Sequence, residues 1–305
     1  MQELPDFPEI KDSTRLERLE PPAGKVNLIL DTDTYNEIDD QFALAYSLIC
    51  KPKLKNHAVY AAPFHNYRSD GPADGMIKSY DEIIRVMAAL GLDELPPVYK
   101  GSESWLPAAD KPVASSAAED LIKRAHAADG LLYVAAIGAV TNVASAILLD
   151  PSIINKIVVV WLSGHARHWP HTQEFNIMQD LYASRVILDS GVPLVIHPCE
   201  GVVSHLHTTE PEMKKYVDGK GTVGNYLYKI FNEFCREHKC LSKVIWDITT
   251  IAWLLDSSWY ESELVSSPIL NDNLTWSFDN RRHLIRSVFR LNRDAIFRDL
   301  FSRIK

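Results

Sequence analysis

The sequence predicts an α/β protein with a mainly parallel central sheet and helices on both faces. Four short apolar runs have the length of buried strands, and helical patterns lie between or after them. The runs are continuous instead of alternating, which is typical of strands covered on both faces of a parallel sheet. The predicted strands cover residues 26–30, 131–137, 157–162 and 192–196.

The helical patterns fill the segments between and after these strands. The pattern near Asn142 ends at Asp150 because the following Pro151 disfavours helix in the residue before it. From about residue 202 the pattern becomes helix-rich, and residues 266–275 predict a loop. The C-terminal segment 281–305 combines eight Lys or Arg residues with regularly placed apolar residues, so we expect a packed amphipathic element there. The predicted helices cover residues 39–48, 79–90, 117–127, 143–149, 181–190, 223–236 and 248–255.

Composition excludes several classes of protein. The chain has 305 residues, of which 32 are Lys or Arg and 40 are Asp or Glu, giving a formal charge of −8. Nucleic-acid binders depend on positive charge, so we expect no nucleic-acid partner. No apolar run is long enough to span a bilayer, so we expect no membrane association. The four cysteines show neither disulfide-framework nor metal-finger spacing.

The N-terminal 25 residues differ from the rest of the chain. They are polar, carry four prolines and lack the apolar stretch of a signal peptide. We therefore predict an N-terminal extension over residues 1–25, followed by a single domain over residues 26–305. A cytoplasmic location is the default expectation, although a chain whose leader had been removed would look the same.

An acidic cluster follows the first predicted strand. Asp31, Asp33, Asp39 and Asp40 lie at the end of a buried strand and the start of a helix, with Glu37 between them. An aspartate at a helix start needs no explanation beyond N-capping. Four of them would repel one another unless a cation offsets their charge. Active sites of open parallel sheets form at the carboxyl ends of the strands, where this cluster is expected.

The ligands in this cluster predict the type of metal. All are hard oxygen donors, which favour Ca²⁺ or Mg²⁺ over Zn²⁺. Several carboxylates with a carbonyl and waters suit the six to eight oxygens of Ca²⁺, whereas Mg²⁺ more often keeps its waters. The sequence therefore predicts a Ca²⁺ site, with Mg²⁺ as the alternative.

The chain resembles the calcium-dependent nucleoside hydrolases, also called inosine-uridine preferring nucleoside hydrolases. The acidic segment matches their Asp-x-Asp-Pro-Gly-x-Asp-Asp motif, except that residues 34–38 make the link two residues longer. Residues 138–142 resemble the family's Gly-Pro-Leu-Thr-Asn, residues 174–176 match its Glu-Phe-Asn, and Trp246-Asp247 opens a helix where the family has its last calcium-binding aspartate. The resemblance implies a nucleoside-hydrolase-like, Rossmann-like open sheet with the active site at the carboxyl ends of its strands.

The resemblance also implies roles for individual residues. Asp33 would be the base that deprotonates the attacking water, and Asp39 would bind a ribose hydroxyl. Glu174 and Asn176 would contact the sugar; alternatively, they are surface residues before the helix at 181–190. The implied metal-site residues are Asp31, Asp33, Asp40, Thr141 through its backbone carbonyl, and Asp247.

The residues around the leaving group are less defined. Trp246 stands where many family members have a histidine that acts as a general acid. Its side chain would stack on the nucleobase during catalysis; alternatively, Trp246 is a packed core residue. His168 and Trp169 lie before the Glu-Phe-Asn segment and would contact a base or sugar, or belong to a structural loop. Asn66 would match an asparagine after the family's second strand, although residues 63–65 depart from the pattern.

The leading interpretation is a Ca²⁺-dependent hydrolase of the N-glycosidic bond in ribonucleoside-like substrates. A first alternative is a hydrolase of another small glycoside in carbohydrate metabolism, and a second is a sugar-binding protein without turnover. The expected partner in each case is a small molecule. Members of the family are commonly homo-oligomers, so the resemblance also implies self-association, of which the residues give no independent sign.

Overall fold

The computed structural model describes residues 6–305, so the first five residues of the predicted N-terminal extension lie outside the described part. The larger strands form one eight-stranded sheet in the order β3-β2-β1-β4-β5-β6-β12-β9. The strands are β1 (Val26–Thr32), β2 (Leu54–Ala61), β3 (Val98–Lys100), β4 (Leu132–Ala136), β5 (Ile157–Leu162), β6 (Leu194–His197), β7 (His207–Thr209), β8 (Ser242–Val244), β9 (Tyr260–Ser266), β10 (Ile269–Leu270), β11 (Trp276–Ser277) and β12 (Leu284–Leu291).

Helices cover both faces of this sheet. They are α1 (Asp12–Leu19), α2 (Asp39–Ile49), α3 (Pro72–Leu90), α4 (Ser116–Ala127), α5 (Thr141–Leu149), α6 (Phe175–Gln179), α7 (Leu181–Asp189), α8 (Glu210–Tyr216), α9 (Gly221–His238), α10 (Ile248–Leu255) and α11 (Arg293–Arg303). Successive residues of one strand point to opposite faces. In β1, Leu28 and Leu30 belong to one buried cluster and Ile29 to the other, so each face has its own core.

The predicted fold class is confirmed. All neighbouring strands of the large sheet run parallel, except β9, which pairs antiparallel with β12. The four strands predicted from apolar runs are β1, β4, β5 and β6, which lie side by side at the centre of the sheet. Central strands are buried on both faces, which is why their sequences are continuously apolar.

The apolar runs do not predict the outer strands, and the expectation for residues beyond 202 is incomplete. That region also contains β9 and β12, and β9 alternates exposed and partly buried residues as an edge strand does. Within the predicted loop 266–275, Ile269 and Leu270 pair with β11. The helix predicted over 79–90 begins at Pro72, because a proline in the first turn needs no hydrogen-bond donor.

Helix α1 lies within the predicted extension and packs on the domain. Leu19 is fully buried, and Arg15 donates a 2.8 Å hydrogen bond to the carbonyl of Gly191. Arg286 of β12 donates to the carbonyl of Leu19 and forms an ion pair with Glu20. Residues 15–20 are therefore held against the part of the sheet that contains β12, next to the edge strand β9.

The parallel strands place several loops along one edge of the sheet. β1 leads into the acidic segment, β4 into the loop before Thr141, β5 into the segment that ends at Glu174, and β6 into Cys199. All four cysteines are unpaired thiols. Across residues 6–305, no helix combines the length and the apolar character needed to cross a membrane.

Candidate active site

The acidic segment turns sharply after β1. The backbone N–H of Asn36 donates to the carbonyl of Asp33 at 2.9 Å, which closes the turn. Tyr35 lies in this turn with φ at 101°, a conformation that is uncommon for a residue with a side chain. The segment ends at Asp39 and Asp40, the first two residues of α2, where the helix dipole favours negative charge.

Three carboxylates converge at this helix start. Asp39, Asp40 and Asp247 each present an oxygen, and these oxygens lie within 4.8 Å of one another. Asp247 immediately precedes α10 and forms no side-chain cap to it. All three residues are at most 4 % exposed. The structure therefore brings Asp247 to the acidic segment, although the two are more than 200 residues apart in the sequence.

Each acidic residue has a different set of donors. Asp40 accepts a 2.5 Å hydrogen bond from the hydroxyl of Thr32, and Asp39 accepts a 3.1 Å hydrogen bond from the backbone N–H of Trp246. Both Asp33 oxygens are buried without a hydrogen-bond donor among the described residues. Such an orphaned buried carboxylate is costly unless another charge compensates it.

Asp33 has little room to move. It is fully buried and is not among the residues that line the cavity described below. A Cβ built on Gly138 would lie 2.9 Å from the Asp33 carboxyl carbon, so only glycine leaves space for this side chain. The loop after β4 thus fixes the position of the aspartate that follows β1.

Burial and mutual repulsion raise the pKa values of the cluster. Burial, followed by the charge of Asp40, raises the pKa of Asp33 well above its usual range. Burial raises the pKa of Asp40 to about 7, with a further contribution from Asp39. Burial, followed by the charge of Asp39, raises the pKa of Asp247 well above its usual range. These shifts describe the metal-free site, in which the negative charge of the cluster is uncompensated.

Asp31 and Thr141 are both fully buried. Asp31 accepts a 2.8 Å hydrogen bond from Asn142, and its burial raises its pKa to about 7. Thr141 is the first residue of α5, and its hydroxyl donates a 2.8 Å hydrogen bond to Asp180. Asp180 also accepts from the backbone N–H groups of Leu106 and Ala183, both at 2.9 Å. The side chains of Asp31 and Thr141 are therefore held in place by buried hydrogen bonds.

A cavity of about 680 Å³ opens above the cluster. Its volume is ordinary for a site that binds a small molecule. Its lining combines carboxylates with aromatic rings. Its lining residues are Asn36, Glu37, Asp39, Asp40, Asn66, Tyr67, Ile137, Leu162, His165, Trp169, His171, Gln173, Glu174, Phe175, Asn176, Cys199, Glu200, Trp246 and Asp247.

Glu174 and Asn176 line this cavity through a local cap. Glu174 is the N-cap of α6, and its carboxylate accepts hydrogen bonds from the backbone N–H groups of Gly164, Asn176 and Ile177. Burial raises the pKa of Glu174 to about 7. The Asn176 amide donates to the carbonyls of Ile137 and Leu162 at 3.2 and 3.0 Å. Asn176 therefore joins the ends of β4 and β5 and sets the orientation of its own amide.

Asn66 joins the acidic segment to the loop after β2. Its amide donates to the side-chain oxygen of Asn36 at 2.7 Å and to the Asn36 carbonyl at 3.2 Å. Its own side-chain oxygen accepts from the backbone N–H of Arg68 at 2.8 Å. The predicted residue therefore reaches the cavity, where it supports the acidic segment.

Of the two residues predicted in the histidine-rich loop, the structure places one in the cavity lining. Trp169 lines the cavity, whereas His168 is exposed and lies outside the lining. His165 and His171 take that place, with ring centroids 5.5 Å apart in an edge-to-face arrangement. The N–H of Trp169 donates to the carbonyl of Ala166 and closes a turn that contains His168.

Trp246 lies between the cavity and the hydrophobic core. It lines the cavity, and it also packs against the larger core cluster while remaining partly exposed. Its backbone N–H fixes Asp39, as described above. The indole is thus supported from behind by the core and presented to the cavity.

Three further residues were not singled out by their sequence pattern. Asp180 precedes a helix, which is an ordinary N-cap signal and would have suggested local capping alone. Cys199 follows the end of β6 and lines the cavity, but a lone cysteine carries no signal. Lys243 forms an ion pair with Glu37 across 206 residues of sequence, a distance over which no local pattern applies.

Comparison with known proteins agrees with the fold. The model of the inosine-uridine preferring nucleoside hydrolase family matches residues 28–282. Probable uridine nucleosidase 2 of Arabidopsis thaliana is 27 % identical over 142 residues, which are 45 % of this chain and 44 % of that protein. The pyrimidine-specific ribonucleoside hydrolase RihA of an Enterobacter strain is 26 % identical over 153 residues, 48 % of this chain and 49 % of that protein. The matches thus span about half the length of these curated relatives.

Solved structures extend the similarity of fold to nearly the whole chain. The plant nucleoside hydrolase PpNRh1 superposes with a TM-score of 0.75 at 18 % identity, over 92 % of this chain and 99 % of that one. The purine-preferring ribonucleoside hydrolase of Gardnerella vaginalis gives a TM-score of 0.75 at 19 % identity, over 91 % and 98 % of the two chains. With the family model matched over most of its length, this chain belongs to the inosine-uridine preferring nucleoside hydrolase family.

Proposed function

We propose that the protein hydrolyses the N-glycosidic bond of a ribonucleoside in a Ca²⁺-dependent reaction. The observation that carries this proposal is the cavity itself. It places the cluster of Asp39, Asp40 and Asp247 in the same space as Glu174 and Asn176, at the carboxyl edge of the sheet. Membership of the nucleoside hydrolase family supports the reaction type.

The residues present fit a divalent cation. The donor set consists of hard oxygens, and the two orphaned oxygens of Asp33 lack any other compensation among the described residues. We assign Asp40 and Asp247 as ligands, with Asp33 and the Thr141 carbonyl completing the set and Asp31 supporting it. When bound, the cation supplies positive charge that lowers the pKa of water and orients the sugar diol. Ca²⁺ is preferred over Mg²⁺ because the set is rich in carboxylates.

Each side chain then has a definite task in the reaction. Asp33 accepts a proton from the attacking water, whose oxygen bonds to the anomeric carbon. Asp39, Glu174 and Asn176 hold ribose hydroxyls and so fix the sugar as it becomes oxocarbenium-like. The electron pair of the broken C–N bond goes to the base, which takes up a proton from solvent and leaves against Trp246, while Asp33 returns its proton to solvent.

The identity of the base is a matter for experiment. The sequence relatives carry names that refer to uridine and pyrimidine nucleosides, whereas one structural relative is named for purine preference. The aromatic rings of Trp246 and Trp169 suit either ring system by stacking. Both classes of nucleoside therefore belong in the substrate panel.

The test is a turnover assay on uridine, cytidine, inosine, guanosine and 4-nitrophenyl riboside. Protein treated with a chelator is assayed before and after addition of CaCl₂ or MgCl₂, and free ribose and free base are quantified. We expect equal amounts of ribose and base, loss of turnover in chelator and recovery with CaCl₂. Turnover that is indifferent to chelator would contradict the metal requirement.

A second candidate is hydrolysis of another small glycoside. The acidic link is two residues longer than in the family pattern, and Trp246 replaces the histidine of many members, which together alter the leaving-group side. Turnover of non-nucleoside aryl glycosides without turnover of nucleosides would favour this candidate. Nucleoside binding without turnover of any substrate would favour a sugar-binding protein.

A further inference from the structure

The lengthened part of the acidic segment is tied down at its sides. Besides the hydrogen bonds between Asn66 and Asn36, the guanidinium of Arg68 lies 4.4 Å from the ring centroid of Tyr35. Arg68 also donates a 3.3 Å hydrogen bond to the carbonyl of Glu37. These contacts hold the segment from the side of the loop after β2.

A buried lysine in β8 also holds this segment. Lys243 of β8 is 8 % exposed, and its ammonium forms an ion pair with the Glu37 carboxylate. The ammonium also lies 5.1 Å from the ring centroid of Phe234. Lysine is rarely buried to this degree unless its charge is paired. Glu37 lines the same cavity as Asp39, Asp40 and Asp247, so the ion pair lies beside the carboxylate cluster.

The charge of this lysine acts on the cluster. Burial alone would lower the pKa of Lys243, but the charges of Asp39 and Glu37 outweigh burial and raise it, so the ammonium remains protonated. One fixed positive charge is therefore part of a site whose carboxylates otherwise repel one another.

We propose that Lys243 is a resident counter-cation of the acidic cluster: paired with Glu37, it stabilises the metal-free site and lowers the affinity of the site for Ca²⁺. This inference rests on the metal site of the proposed function. Lys243 touches neither substrate nor reacting atoms in this scheme and acts as a positioning residue. Like charges repel, so the ammonium and the divalent cation oppose each other across the cluster.

The two members of the ion pair then have opposite effects on metal binding. Lys243→Met removes the positive charge, leaves Glu37 unpaired and attractive to Ca²⁺, and is expected to lower the dissociation constant at least about threefold. Glu37→Gln leaves the ammonium unpaired beside the cluster and is expected to raise the dissociation constant by a similar factor. If the ion pair served only to hold the acidic segment in place, both variants would bind Ca²⁺ more weakly than the wild type.

The experiment titrates CaCl₂ into chelator-stripped protein at pH 8 by calorimetry and measures the Tm of the metal-free forms. Metal-free Lys243→Met is expected to melt at a lower temperature than wild type while binding Ca²⁺ more tightly. Lys243→Arg keeps the charge and should leave the dissociation constant within about twofold. Lys229→Met is the matched control, because that side chain is 67 % exposed and its loss changes the net charge equally.

The outcomes separate this inference from the proposed function. Absence of Ca²⁺ binding by the wild-type protein would overturn the metal site, and this inference with it. Binding by the wild type that changes in the same direction in Lys243→Met and Glu37→Gln, or in neither, would overturn the counter-cation role alone. If Lys243→Met does not fold, equal affinity of Glu37→Gln and wild type for Ca²⁺ would likewise overturn that role.

Discussion

The amide of Asn142 donates a 2.8 Å hydrogen bond to Asp31, and its side-chain oxygen accepts another at 2.8 Å from the backbone N–H of Ser102. Asp31 and Asn142 are fully buried, and the second oxygen of Asp31 has no donor among residues 6–305. Among residues 6–305, Asn142 therefore supplies the one side-chain hydrogen bond that this buried carboxyl group accepts.

Replacement of Asn142 by Ala should destabilise the protein by about 2–3 kcal/mol, because it leaves both Asp31 and the Ser102 N–H without a partner. Urea denaturation of the chelator-treated protein measures this change. Asn155→Ala provides the control, since Asn155 is partly exposed at the end of the short 3₁₀ turn Pro151–Asn155. Equal denaturation midpoints for both variants would show that the bond to Asp31 contributes nothing.

The stability of the metal-free protein should fall as the pH rises. Asp31 and Asp40 have pKa values of about 7 in the folded state, compared with about 3.9 in an unfolded chain. Between these values the folded state binds more protons, so raising the pH through this window lowers the free energy of unfolding. We expect the Tm in chelator to decrease from pH 5 to pH 8.

Added CaCl₂ should reverse this trend. Protons compete with the metal for the same carboxylates, so binding is stronger at high pH. The increase in Tm on adding CaCl₂ should therefore be larger at pH 8 than at pH 5, as measured by scanning calorimetry. An increase of the same size at both pH values would mean that these carboxylates do not bind the metal.

Asp33→Asn should separate proton transfer from binding. The substitution keeps the size of the side chain but removes the proton acceptor, so kcat should drop by about 10²–10⁴-fold while substrate affinity changes much less. The neutral amide also removes repulsion with Asp40, so the metal-free variant should melt at a higher temperature than wild type. Full activity in Asp33→Asn would exclude it as the base.

Trp246→Ala should act on departure of the leaving group. Loss of the stacking surface should slow nucleosides, whose bases leave poorly, and largely spare 4-nitrophenyl riboside, which needs little assistance. The ratio of kcat/KM for the two substrates, compared with wild type, measures this difference. Equal losses on both substrates would identify Trp246 as a packing residue, a role that its contacts with the core also allow.

The centre of the fold could be predicted from sequence because its strands are buried on both faces. Strand β2 could not, because its first half carries Lys55, Asn56 and His57, and only its second half is apolar. The edge strand β9 alternates in the same way as many exposed segments. Its strand character depends on pairing with β12, which local sequence does not encode.

The acidic cluster was predictable because parallel strands end at a common edge. The complete burial of Asp33 was not predictable. The space for its side chain depends on the absence of a side chain at Gly138, more than 100 residues away in the sequence. The sequence also could not show that His165 and His171 line the cavity and His168 does not, because this depends on how the loop folds in the tertiary structure. The pairing of Lys243 with Glu37 likewise exists only once β8 has reached the acidic segment.

Asp180 joins three segments that are distant in sequence, because one carboxylate accepts hydrogen bonds from Leu106, Thr141 and Ala183. None of these segments can open alone without leaving the buried carboxylate short of a donor, so their fluctuations are coupled. In hydrogen exchange, the amides of Leu106 and Ala183 should therefore report a single cooperative opening. We therefore expect the segments around Asp180 to open as one unit, even though they come from separate parts of the chain.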